Sequence, residues 1–250
     1  MKKITAIILC VVLCAALLCG CGSKDAASEG KTLVVATNVA FPPYEFYEDE
    51  KPVGIDIDIM QAICDKLGYG MEVADMEFGS VITAVQTGKV DVGVGAITIT
   101  EERKQSVDFT VPYDAGIQSV IVVSGSEIKS IDDLSKADKI GVQEATTGDL
   151  FCTEDFGEEH VARFSKAADA VQALITGKAQ AVVVDNGPAK TFVEQNEGLE
   201  LLPTAYYQED YGFEISKDNP ELYAEVNGAL EELIADGTVQ AIKDRYNSEG

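Results

Sequence analysis

From Thr32 onward, short β-branched runs alternate with amphipathic helical stretches, and this rhythm constrains the fold more than any other feature. Residues 32–38 (TLVVATN) read as a strand. Residues 56–67 place Ile59, Ile63 and Leu67 on one helical face, with Gly68 as the stop. A strand over 71–77, a helix over 80–87 and a strand over 90–96 continue the pattern, and a strand over 118–123 follows with no helix directly before it. A second series then opens with a short helix capped by Ser130 and running to 135. It goes on with a strand at 140–143, a helix at 147–153, a strand at 161–164, a helix at 166–176 and a strand at 181–185. A strand over 211–216 precedes a helix over 220–235 whose Leu222, Val226, Leu230 and Leu233 form one stripe, and a last helix covers 239–246. Strand–helix alternation of this kind implies α/β architecture with mainly parallel sheets covered by helices.

One step occurs twice. SVITAVQTGKVDVGVGA (80–96) and KAADAVQALITGKAQAVVVD (166–185) each run from an apolar helix through Thr-Gly-Lys into a strand. Two similar lobes are expected, the first from 32–117 and 206–250, the second from 118–205. Crossings between them fall near 116–119 and 204–207, with a ligand cleft at the carboxyl ends of the strands.

The first residues belong to targeting. Lys2 and Lys3 precede an uncharged apolar run over 4–18 that has the length of a signal-peptide core and is short for a membrane span. Leu18-Cys19-Gly20-Cys21 resembles the lipobox of lipoprotein signal peptides. Leu18 in front of Cys19 breaks the pattern there, whereas Gly20 in front of Cys21 fits it. Residues 1–20 are therefore expected to be removed, leaving Cys21 lipidated, with a flexible tether to residue 31. Of six cysteines, four lie in this region; Cys64 and Cys152 remain as isolated residues in helical patterns, read as small buried hydrophobes. The formal charge of −24, or −26 without Lys2 and Lys3, argues against nucleic acid or an anionic membrane surface as partner. The single histidine, His160, lies in a polar stretch read as an exposed loop, and neither a metal nor a cofactor is expected.

Several ordered motifs carry a resemblance that covers about 32–246. Thr37-Asn38-Val39-Ala40-Phe41-Pro42-Pro43-Tyr44-Glu45-Phe46 is followed by Val53-Gly54-Ile55-Asp56-Ile57-Asp58. Then come Ala96-Ile97-Thr98-Ile99-Thr100-Glu101-Glu102-Arg103 and Val107-Asp108-Phe109. Together they are similar to family 3 solute-binding proteins, the polar amino-acid receptors of ABC importers. The resemblance implies a two-lobed periplasmic-binding-protein fold of type II with two crossover strands and the ligand in the interlobe cleft.

The resemblance also implies roles for individual residues. Judged by its neighbours alone, Arg103 is a surface cation beside Glu101 and Glu102; the family pattern makes it the bidentate grip on a ligand α-carboxylate. Thr98 and the backbone at Ala96 would hydrogen-bond the ligand's carboxylate and amino groups, while Thr100 caps the helix that carries Arg103. Gln143-Glu144-Ala145-Thr146-Thr147-Gly148 leads a strand into a helix N-terminus, where free N–H groups and the dipole favour an anion; Thr146 and Thr147 occupy the family's second carboxylate contact, which a helix-cap role does not exclude. Asp185 ends an apolar strand; its local alternative is an Asx-turn or helix cap, and the family uses it for the ligand ammonium. Phe41 and Phe78 read as core aromatics by type and as cavity walls by resemblance, with Tyr44 and Phe46 left to the core. Asn38 stands where basic- or amide-selective members often carry Asp, and with Gln143 and Val184 in the same region it argues for a neutral polar ligand such as glutamine; Glu45, Glu144 or another acid reaching into the pocket would reverse that preference.

The expected protein is a monomeric, lipid-anchored, extracytoplasmic receptor that captures an amino acid by lobe closure and delivers it to permease subunits, touching the membrane through its lipid alone. Cyclohexadienyl dehydratases resemble the same family and form the enzymatic alternative, with Glu144 or Asp185 as the acid. A sensor or channel module on this scaffold would add a membrane span after the second lobe, and no such run follows in the sequence.

Overall fold

The computed structural model describes residues 30–203 and 205–247. The expected leader, Cys21 and most of the tether lie outside the described residues. β1 (Thr32–Thr37) leads through the hairpin β2 (Phe46–Glu48) and β3 (Lys51–Val53) to α1 (Ile55–Leu67), β4 (Gly70–Asp75), α2 (Phe78–Gln86), β5 (Val92–Gly93), β6 (Val107–Phe109) and β7 (Asp114–Val123). Next come β8 (Ile140–Gln143), α3 (Thr147–Phe156), β9 (Val161–Phe164), α4 (Ala167–Ile175), β10 (Ala181–Asp185), α5 (Asn186–Gln195) and β11 (Leu199–Leu201). β12 (Gln208–Tyr211), β13 (Glu214–Ser216), α6 (Pro220–Ala235) and α7 (Thr238–Asn247) complete the order.

Two sheets result. The first runs β4-β1-β5-β13-β6, with β1 parallel to β4 and β5, and β13 antiparallel to β5 and β6. The second runs β11-β7-β10-β8-β9, parallel among β10, β8 and β9 and antiparallel at β7. β7 divides its length: its first four residues pair with β12, and its last six pair with β10 and β11. β7 and β12 are thus the crossover strands of a two-lobed α/β fold.

Local sequence explains the elements that matter for the site. α1 buries Ile55, Ile59 and Ile63 and ends on Gly68, whose φ of 71° is the left-handed cap that glycine supplies cheaply. Asn219 caps α6 by accepting from Leu222 N at 3.3 Å, and Pro220 fills the first helical position. Leu222, Val226, Leu230 and Leu233 are buried, each contributing roughly 1.5–3 kcal/mol of apolar transfer. The repeated step is closed twice in the same way. Thr87 Oγ1 donates to Thr83 O at 2.7 Å and Thr176 Oγ1 to Gln172 O at 2.8 Å, while Lys89 N and Lys178 N reach Ala84 O at 2.9 Å and Ala173 O at 2.8 Å. Cys64 and Cys152 are free and buried.

Several expectations need correction. The strand expected over 90–96 is only Val92–Gly93; Val94 N still reaches Ala36 O at 3.0 Å, and beyond it Asp56 takes the Gly95 and Ala96 amides (below). The strand expected over 211–216 is two strands: Gly212 N turns to Ile97 O at 3.1 Å and Phe213 N to Thr110 Oγ1 at 3.0 Å, which breaks the ladder. The short helix after Ser130 is a 3-10 turn, Asp132–Lys136. His160 is half-buried in a turn, its Nδ1 2.8 Å from Ala137 O, rather than in an exposed loop. The β2–β3 hairpin was not expected; it turns on Asp49 and Glu50 at φ 47° and 64°, a two-residue turn without the usual Asn-Gly signal.

Candidate functional site

Between the two sheets lies a cavity with about 330 Å³ of atom-free space, part of it open to solvent. Asn38, Phe41, Phe78, Ala96, Thr98, Arg103, Gln143, Thr146, Thr147 and Asp185 all line it, so every ligand-site residue expected from the sequence converges here. Glu45 and Gly95 line it as well. Glu144 does not; it borders a neighbouring surface hollow instead.

Asp56, in the first turn of α1, organises one wall. It is fully buried, and its Oδ2 accepts from both Gly95 N and Ala96 N at 2.8 Å. That grip holds Ala96 at φ 47°, a conformation costly for a residue with a side chain. The Ala96 amide is spent on Asp56, so what it offers a ligand is its carbonyl. Burial pushes the Asp56 carboxyl up to about 6, against hydrogen bonds that lower it. Asp56 reaches the loop because Gly54 lets the chain pass close: a Cβ there would sit 2.2 Å from Tyr44 O.

Arg103 reaches across the cleft. Thr100 Oγ1 accepts from Arg103 N at 3.1 Å, which is the expected cap, though on a 3-10 turn. The guanidinium donates through Nη1 to Thr98 O at 2.9 Å and through Nη2 to Ala145 O at 3.1 Å, and lies 5.6 Å from the Phe78 ring centre. Glu101 pairs with Lys104 at 2.8 Å, which takes one of the two neighbouring acids, while Glu102 still acts on the Arg103 charge after Glu214, Glu209 and Asp185. Burial lowers the Arg103 pKa; Glu214, Glu209 and Asp185, in that order, hold the charge in place.

On the second sheet's side, Thr146 caps α3. Its Oγ1 accepts from Asp149 N at 3.3 Å and donates to Gln143 O at 2.8 Å, so that hydroxyl is committed. Thr147 opens the helix, with its hydroxyl 3.4 Å from that of Thr98 across the cleft. The Gln143 amide donates to Asn38 Oδ1 at 3.0 Å and Ser165 O at 3.1 Å, and Asn38 Nδ2 donates to Met76 O at 2.9 Å. Asn38 and Gln143 therefore strap the two sides together with most of their amide groups already paired.

Asp185 sits at the start of α5 without a side-chain cap bond. Its Oδ1 accepts from Gln118 Nε2, which also donates to Glu209 Oε2 at 2.8 Å, so one amide bridges two buried carboxyls on β10 and β12. Burial first, then Glu209, raises Asp185 well above the usual carboxylate range, with Arg103 opposing. Glu45 is 1% exposed, and its Oε2 has no hydrogen-bond partner. Burial, then Asp56 and Asp185, raise it strongly. One guanidinium thus faces a surplus of buried carboxyls. Among the described residues no group of three or more His, Cys, Asp or Glu side chains is placed to hold a metal ion.

A probable histidine-binding protein of Neisseria gonorrhoeae is 31% identical over 98% of this chain and 96% of its own length. The ABC transporter glutamine-binding protein GlnH of Bacillus subtilis is 31% identical over 100% of this chain and 98% of its own. Among solved structures, an ancestral arginine-binding protein bound to glutamine superposes with a TM-score of 0.81 at 39% identity, covering 86% of this chain and 97% of that one. The profile of the bacterial extracellular solute-binding proteins, family 3, matches residues 33–249, and the chain belongs to that family.

Proposed function

We propose that this protein is the receptor of an amino-acid ABC importer, and that it closes its two lobes around an L-α-amino acid with a cationic side chain such as arginine. The observation that carries the ligand class is Glu45, a buried carboxyl in the cavity wall with an unpartnered oxygen. Arg103 takes the α-carboxylate, Asp185 with the Ala96 carbonyl takes the ammonium, and Glu45 takes the side-chain cation. Phe41, Phe78, Thr98, Thr147, Asn38, Gln143 and Thr146 shape the walls. Charge-assisted hydrogen bonds of about 1.5–3 kcal/mol each decide which small molecules stay.

This revises the glutamine preference argued from Asn38. The Asn38 and Gln143 amides are paired with one another and with main-chain carbonyls, which leaves little amide capacity to read a ligand amide. Glutamine remains the second reading, supported by GlnH and by the glutamine-bound ancestral protein. The family is one of solute-binding proteins, so the dehydratase alternative has no support from it.

In calorimetry against the twenty amino acids, arginine or lysine is expected to bind tightest and glutamine at least tenfold more weakly. Tighter binding of glutamine would reverse the ligand class. Arg103→Ala is expected to abolish binding of every amino acid, and retained affinity would remove it from the carboxylate role. Lobe boundaries at 32–117, 118–205 and 206–250, a monomeric state and delivery to permease subunits complete the proposal. So do cleavage before Cys21 and anchoring of the receptor outside the cytoplasm through lipid on that cysteine, including an acyl chain such as palmitate. A mature mass that begins at Cys21 with added diacylglycerol and acyl groups would establish the anchor, and an unmodified N-terminus would remove it.

A further inference from the structure

Arg103, together with Phe78, is shared between the walls of two cavities. Its forward side lines the ligand cavity; its rear side lines a second cavity with Phe78, Val81, Ile82, Ile97 and Glu214. Glu214 lies on β13, opposite Gly93 on β5 and Phe109 on β6. It is 1% exposed, and neither carboxyl oxygen has a hydrogen-bond partner. Its Oε2 lies over Gly93, where a Cβ would approach it to 2.9 Å. Burying an unpartnered carboxyl costs several kcal/mol unless a charge or a proton compensates it.

The groups packed on Glu214 narrow what compensates it. α2 brings apolar side chains, β5 brings Gly93 and β6 brings Phe109. Asp108 pairs with Ile215 and so faces the other side of the sheet, where α6 packs. Among the described residues, Arg103 is the charged group that acts on Glu214. On Arg103 in turn, Glu214 is the first of the acids that sustain its charge, ahead of Glu209 and Asp185.

We propose that Glu214 is the positioning counter-ion of Arg103, and that it competes with the ligand carboxylate for that guanidinium, so that amino-acid capture draws a proton from solvent onto Glu214. The inference rests on the reading that Arg103 binds the α-carboxylate. A ligand carboxylate in front of Arg103 takes up the field that otherwise favours ionised Glu214 behind it, and the protonated form gains. Without ligand, burial already pushes Glu214 up to about 7 against the pull of Arg103, so the exchange occurs near neutral pH. The sign follows: binding favours protonated Glu214, so this group weakens affinity as pH rises through 7 and above.

The test compares wild type with Glu214→Gln and Glu214→Ala in arginine titrations from pH 6 to 9, each at two buffer ionisation heats. Near pH 6 the three proteins are expected to bind alike. By pH 8.5 the variants are expected to bind about fivefold or more tighter than wild type, the low end of ordinary site-to-site coupling. At pH 7.5 wild type is expected to take up a larger fraction of a proton per ligand than either variant. Parallel pH profiles and equal proton counts would overturn the proposal. If neither variant folds, the Glu214 carboxyl carbon resonance in wild type decides: its titration midpoint rises on adding arginine, and an unmoved midpoint overturns the proposal. Failure of the carboxylate reading looks different, since wild type then binds no amino acid or Arg103→Ala binds as wild type does.

Discussion

Glu45 and Asp185 are both carboxyls on one small cavity, yet they differ in what already holds them. Asp185 accepts from Gln118, whereas one Glu45 oxygen is unpaired, so a ligand cation gains most at Glu45. Glu45→Gln keeps the shape and removes the charge. It is expected to weaken arginine binding about 10–150-fold, the equivalent of 1.5–3 kcal/mol, while changing glutamine binding little. Equal losses for both ligands in calorimetry would make Glu45 a packing residue. That the candidate residues share one cavity was legible in the sequence, because most stand beside a strand end or helix start, and Asn38, Phe41, Ala96, Thr98 and Arg103 also fall within the ordered motifs. How their side chains are spent was not. Asn38 is committed to Gln143, 105 positions away, and such a pairing leaves no local signature. Asp56 stood inside a recognised motif, but its hold on Gly95 and Ala96 exists only once α1 packs against the loop after β5.

At the scale of elements, local chemistry set most boundaries and tertiary bonds set the rest. The strand over 181–185 and the helix over 220–235 fall where the sequence put them, since an apolar β-branched run and an Asn-Pro start are strong local signals. β5 ends early for a non-local reason: after Val94 N, which still pairs with Ala36 O, a side chain on α1 accepts the Gly95 and Ala96 amides and turns the chain out of the ladder. The repeated helix–turn–strand step carries its own prediction. Gly88 and Gly177 sit at φ 68° and 73°, in open space and with matching bonds around them. Alanine at either position pays the left-handed penalty without a clash, about 1–2 kcal/mol. Gly88→Ala and Gly177→Ala are therefore expected to lower stability by similar amounts in denaturant unfolding. A neutral result at either would mean that its turn relaxes to another conformation.

Across the whole molecule, the buried carboxyls around the cleft make stability depend on pH in a definite direction. Asp56 is pushed up to about 6 and Glu214 to about 7 in the folded protein, while Glu45 and Asp185 are raised well above their ordinary range. An acid whose pKa is higher folded than unfolded binds more protons in the native state, so stability falls as pH rises between the two values. Asp56 and Glu214 each contribute on the order of 3 kcal/mol that is present at pH 4 and lost by about pH 7. The ligand-free protein is therefore expected to melt at a progressively lower temperature from pH 5 to pH 8, against the common pattern in which paired carboxylates favour neutral pH. Glu214→Gln should flatten the part of that slope between pH 5 and 7. Saturating arginine should raise the midpoint at pH 8, because it binds the native state and supplies the cations the cleft lacks. A melting temperature that climbs or stays level from pH 5 to 8 would show that these carboxyls are compensated by groups other than protons. In that case the acidic surplus in the cleft could not be the feature that selects a cationic ligand.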